Sequence, residues 1–110
     1  MTMPVRTVWD GTYTALGIAA NTNLVAAGTA PDNPNSGCIY RVIVQVAPSA
    51  TAYILDSAGT TQSAANTILT IPSSTVAGTV YYIMWRFYNG LSVLPGSGTL
   101  AVSYSVGDQG

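Results

Sequence analysis

Apolar and polar residues alternate along much of this chain with a period of two, the spacing of a half-buried strand. The clearest case is Cys38-Ile39-Tyr40-Arg41-Val42-Ile43-Val44-Gln45-Val46. Tyr40, Val42, Val44 and Val46 fall on one face, assigned to the core, and Ile39, Arg41, Ile43 and Gln45 on the other. Residues 99–106 repeat the pattern, with Leu100, Val102, Tyr104 and Val106 forming an apolar face against small residues. Shorter runs at 51–56 and 66–71 also read as strands, the second stopped by Pro72. Over 13–20 and 23–28 the small turn between the two runs, and the lack of charged helix formers, favour strand over helix. Turn chemistry fills the gaps at 29–37, 57–65, 73–78 and Gly96-Ser97-Gly98. The loop at 57–65 is expected to be mobile or to lie at a contact surface. About seven or eight strands at intervals near ten residues predict one antiparallel β-sandwich over 13–110. Its natural closure is a jelly roll or related Greek key, preceded by an N-terminal arm over 1–12.

Residues 79–88, Thr-Val-Tyr-Tyr-Ile-Met-Trp-Arg-Phe-Tyr, break the alternation because both faces are largely apolar. Tyr81, Ile83, Trp85 and Phe87 share one face, where Trp85 reads as buried; Val80, Tyr82, Met84, Arg86 and Tyr88 share the other. Asn89-Gly90 predicts a type I′ hairpin, with Tyr88 opposite Leu91 and Trp85 opposite Leu94. A second hairpin is expected between 38–46 and 51–56, around Pro48 and Ser49. A sandwich strand needs only one apolar face. The second face of 79–88 therefore lies beneath the chain's own loops or meets another subunit. Trp9, with Val5 and Val8 in the arm, either caps the core or docks on a neighbour. The interface candidates are Trp9, Tyr82, Met84, Arg86 and Tyr88.

Composition sharpens this picture. Charged residues make up only 6% of the chain, against about 25% in ordinary domains. There is no Lys, Glu or His, and the charged side chains are Arg6, Arg41, Arg86, Asp10, Asp32, Asp56 and Asp108. Such a surface is solvated by hydroxyls and amides, and weak charge repulsion favours association. A net charge of −1 argues against a phosphate-binding surface, so no nucleic-acid partner is expected. No apolar run approaches the ~20 residues of a membrane span. The run at 14–20 lacks the basic flank of a signal core, since Asp10 and Gly11 precede it and Arg6 stands alone.

Catalytic and metal-binding constellations are missing from the sequence. A serine nucleophile has no His or Lys to serve as base. Cys38, the single cysteine, excludes an intramolecular disulfide and a multi-cysteine zinc site, and reads as a small buried residue. Asp32, Asn33 and Asn35 offer too few carboxylates for calcium and fit Asx turns instead. The four aspartates lie in or beside turns and termini, where solvated turn carboxylates are a simpler reading than a glycosidase pair. The expectation is a protein that is not an enzyme and carries no cofactor.

The ending Asn89-Gly90-Leu91-Ser92-Val93-Leu94-Pro95-Gly96-Ser97-Gly98-Thr99-Leu100-Ala101-Val102-Ser103-Tyr104 resembles C-terminal segments of small virion structural proteins of tailed bacteriophages. The style is similar to that of capsid decoration, or cement, proteins: short, β-rich and rich in Ala, Thr and Gly. The likeness covers about the last third of the chain. It implies a subunit on the outer capsid surface, a homotrimer or homodimer, that bridges major capsid proteins against internal DNA pressure. Two other readings stay open: a receptor- or glycan-binding module of a tail or fibre, using Trp9, Tyr40, Tyr53 and Trp85, and a minor shell-forming subunit.

Overall fold

A computed structural model describes residues 12–25 and 36–106, which form eight strands and no helix. These are β1 (Thr12–Ile18), β2 (Thr22–Val25), β3 (Gly37–Val46), β4 (Ala52–Leu55), β5 (Thr67–Ile71), β6 (Val80–Phe87), β7 (Leu91–Leu94) and β8 (Thr99–Val106). They build two four-stranded antiparallel sheets: sheet A in the order β1-β8-β3-β6 and sheet B in the order β2-β7-β4-β5. This is the strand order of a jelly roll; the spacing of the strands predicts the two-sheet sandwich but not the order within each sheet. The arm with Trp9, most of the 29–37 loop, and Arg6, Asp10, Asp32 and Asp108 lie outside the described residues.

The core lies between the sheets. Ile39, Val42, Val44, Leu100, Val102 and Phe87 of sheet A meet Ala52, Ile54, Ile71, Leu91 and Val93 of sheet B. All of these are fully buried, which for Val, Leu, Ile and Phe stabilises by roughly 1.5–3 kcal/mol each.

Neither expected hairpin forms. β3 and β4 lie in different sheets, and so do β6 and β7. Residues 88–90 therefore carry the chain across the sandwich. Gly90 still needs its positive φ, 120°. It is also pressed against the carbonyl oxygen of Val25, where a side chain would come within 2.6 Å. The crossing is held by Asp56, whose Oδ1 accepts the N–H groups of Tyr88 (3.0 Å) and Asn89 (2.7 Å). At the β3–β4 crossing the N–H groups of Ser49 and Ala50 both donate to the Gly96 carbonyl at 3.0 Å. Each crossing is thus tied to another part of the chain, and Asn-Gly or Pro-Ser closes an intersheet step in place of a hairpin.

Bulges shift the alternation along β3 and β6. Ile39 pairs with Tyr104 and Arg41 with Ser103, so Tyr40 is an extra residue on β3. The bulge puts Ile39 in place of Tyr40 on the core face of β3, and a further irregularity between Val44 and Val46 takes Val46 off it, leaving Ile39, Val42 and Val44 instead of Tyr40, Val42, Val44 and Val46. Tyr40 is half-buried and Val46 is 54% exposed. On β6, Ile39 pairs with Trp85 and Arg41 with Tyr82, leaving Ile83 and Met84 together opposite Tyr40. Met84 takes φ 53°, a left-handed conformation costly for an L residue with a side chain.

The 57–65 loop is stitched by its own side chains. Ser63 N donates to Asn66 Oδ1 (2.9 Å), Asn66 Nδ2 to the Thr61 carbonyl (3.0 Å), and Thr67 Oγ1 to the Ser63 carbonyl (2.6 Å).

Candidate functional site

β6 is one of the two edge strands of sheet A, with β3 as its one neighbour among the described residues. Its β-branched and aromatic residues suit a strand on either face, so composition alone does not fix which face is covered. Cross-strand partners share a face of a sheet. Val80 lies opposite Ile43, Tyr82 opposite Arg41, and Arg86 opposite Cys38, all on the side away from the core. On this outer face Tyr82 is 75% exposed and Met84 67%. Beyond the strand Tyr88 is 62% exposed, and the Arg86 guanidinium lies 5.6 Å from its ring centroid, within cation–π range. Next to β3 on the same face, β8 presents only Ala101, Ser103 and Ser105. The face is therefore high along β6 and β3 and low along β8. Tyr40 leans over the low strip, its hydroxyl 2.9 Å from Ser105 Oγ.

Of the expected interface residues, Tyr82, Met84, Arg86 and Tyr88 stand together along this edge, and Trp9 lies outside the described residues. Trp85 departs from its expected burial. It pairs with buried Ile39, so it points to the core side, yet it is 59% exposed. The row across sheet A explains why. Tyr13, Tyr104, Ile39 and Trp85 lie side by side on β1, β8, β3 and β6. Tyr13 and Trp85 sit on the two edge strands, where a neighbouring strand covers one side only, and Tyr13 is also 49% exposed. Tyr13 packs on Tyr104 with the rings tilted by 36° and their centroids 5.5 Å apart. Nothing in a period-two pattern distinguishes an edge position from a central one.

Asp56, expected to be a solvated turn carboxylate, is the one carboxylate among the described residues and clamps the 88–90 crossing instead. Its partners are more than thirty residues away in sequence, so no local pattern could reveal them. Cys38 is half-buried on the outer face. Burial pushes its thiol above the usual range, with the Arg86 charge and a hydrogen bond to Tyr40 pulling partly back. Burial raises Tyr104 as well, assisted by neighbouring Tyr13. Among the described residues no three His, Cys, Asp or Glu side chains come together.

What the arrangement offers is contact area: aromatic rings, a thioether and two arginines on an open edge. Comparison with protein-family models, with curated proteins and with solved structures finds no match for the chain.

Proposed function

We propose that this protein is a non-catalytic assembly subunit, a capsid decoration protein of the tailed-phage type, which binds and stabilises the major capsid shell. The observation that carries the proposal is the open outer face of β6, where Tyr82 and Met84 are 75% and 67% exposed. Large exposed apolar patches mark interaction surfaces. The resemblance of residues 89–104 to virion proteins supplies the particular partner. Jelly rolls occur in viral capsid and lectin domains, which is support by fold analogy only.

The test uses shells assembled from the major capsid protein of the phage that the proposal implies. Mixed with the protein and pelleted, they should retain it at a fixed copy number and melt at a higher temperature. Loss of the protein to the supernatant, with unchanged melting, would refute the proposal.

The exposure of Trp85 favours a second reading, a glycan-binding module of a tail or fibre. That reading predicts saturable binding on a glycan array, abolished by Trp85→Ala.

A further inference from the structure

We propose that Asn89-Gly90 is a site of spontaneous covalent modification, deamidation through a cyclic imide, and that the Asp56 clamp on the crossing sets its rate. This chemistry does not depend on shell binding.

Asn89 is the only asparagine of the chain followed by glycine. Glycine leaves the following backbone nitrogen unshielded, because no side chain stands beside it. That nitrogen loses its proton and attacks the side-chain carbonyl carbon of Asn89. A bond forms between Gly90 N and Asn89 Cγ, the bond from Cγ to Nδ2 breaks, and ammonia leaves with the proton. Water then opens the imide at one of its two carbonyls. One opening leaves an ordinary aspartate at 89. The other leaves an isoaspartyl link, in which the backbone runs through the former side chain. Water is consumed, ammonia is released, and nothing is oxidised or reduced.

The fold both exposes this pair and restrains it. Asn89 is exposed, so its side-chain amide is open to water, while Gly90 is buried. Ring closure requires residue 89 to turn until Gly90 N meets its own Cγ. The Asn89 N–H is held by Asp56 Oδ1 at 2.7 Å and the Tyr88 N–H by the same oxygen at 3.0 Å. Asp56 is itself anchored, its N–H donating to the Asn66 carbonyl at 2.7 Å. On the other side Gly90 is seated against Val25 and Ala58. Reaction therefore proceeds from a local opening of the crossing, and the two hydrogen bonds to Asp56 set how often it opens.

Either product undoes the clamp. An aspartate at 89 sets a second negative charge beside the Asp56 carboxylate, and like charges at this range repel. An isoaspartyl link adds a backbone carbon to a crossing fixed between Phe87 and Leu91, both fully buried. The crossing cannot lengthen without displacing one of them.

Peptide mapping by mass spectrometry tests this, on full-length protein incubated at mildly alkaline pH. Asn89 should deamidate ahead of every other asparagine, and the modified fraction should melt at a lower temperature. Asp56→Ala should speed the reaction roughly tenfold, the effect of losing charged hydrogen bonds that close the crossing. Asp56→Asn keeps an acceptor oxygen, so its rate should fall between those two. Leu100→Ala weakens the core toward the other end of β8 from the row that holds Phe87. It should leave the rate near that of the wild type. Asn89 intact while another asparagine has reacted overturns the proposal. So does an Asp56→Ala rate equal to the wild type. An equal acceleration by Leu100→Ala would place the reaction in the globally unfolded chain and overturn the role of the clamp. If Asp56→Ala shows no thermal transition, Asp56→Asn decides: a rate equal to the wild type overturns that role too.

Discussion

On the outside of sheet B, Leu55 and Ser92 face one another and both are fully buried. On the outside of sheet A, Arg41 and Tyr82 face one another and both are exposed. Leu55 stands apart from the cluster between the sheets, so its burial comes from the other direction. The chain leaving β4 folds back over it. Ser92 Oγ donates to the Ser57 carbonyl at 2.9 Å, and Asn23 Nδ2 donates to Ser92 Oγ at 2.8 Å. A loop of small polar residues thus closes this face over Leu55. The face crowded with tyrosines has no such cover among the described residues. Coverage follows from where the connections run, not from how apolar a strand is.

Substitutions on the two faces should therefore differ in kind. Leu55→Ala should lower unfolding free energy by about 2–5 kcal/mol in a denaturant titration. A cost below 1 kcal/mol would mean the loop does not seal that face. Asp56→Ala removes the acceptor for two N–H groups at the crossing and should cost about 1–3 kcal/mol by the same titration. Met84→Gly relieves a left-handed backbone and should raise stability by up to about 1 kcal/mol. A clear loss instead would show that the methionine side chain packs. Trp85→Ala should change stability by no more than about 0.5 kcal/mol, as for other exposed positions. A cost several times larger would restore the ring to the core. The smallest effect concerns pH. Tyr104 has a raised pKa in the folded state, so its contribution to stability is intact below the ordinary phenol range and is lost as pH climbs through the raised value. Tyrosinate absorbance should show one late ionisation that disappears in Tyr104→Phe.

β3 and β8 were legible in the sequence because each carries its own period-two signal, while β6 was read from its β-branched and aromatic residues and β1 and β2 only from a turn and the lack of helix formers. The sandwich followed from the number and spacing of the strands, which left a jelly roll and a related Greek key both open until the strand order decided. The connections were not legible. A type I′ turn asks for positive φ at both Asn89 and Gly90, whereas in the crossing only Gly90 takes it, pressed against Val25 and Ala58. The bulge at Tyr40 moved the core face of β3 by one residue, and its cause lies in pairing with β8, far along the chain. On the candidate face, Tyr82, Met84 and Tyr88 could be found because a strand apolar on both sides has more surface than one core can bury. Trp85 could not, since its exposure depends on β6 being an edge.

β8 sits between β1 and β3, and its Ser105 lies opposite Thr12 at the far end of the described chain. Only β4 and β5 are both sequence neighbours and sheet neighbours. Contacts this distant in sequence slow folding to the millisecond-to-second range typical of sandwiches. During synthesis β1 and β3 must also wait with unpaired edges until residues 99–106 emerge from the ribosome. A ribosome that stalls before residue 99 would leave sheet A without the strand that joins its two halves, and a nascent chain in that state is a substrate for chaperones or proteases.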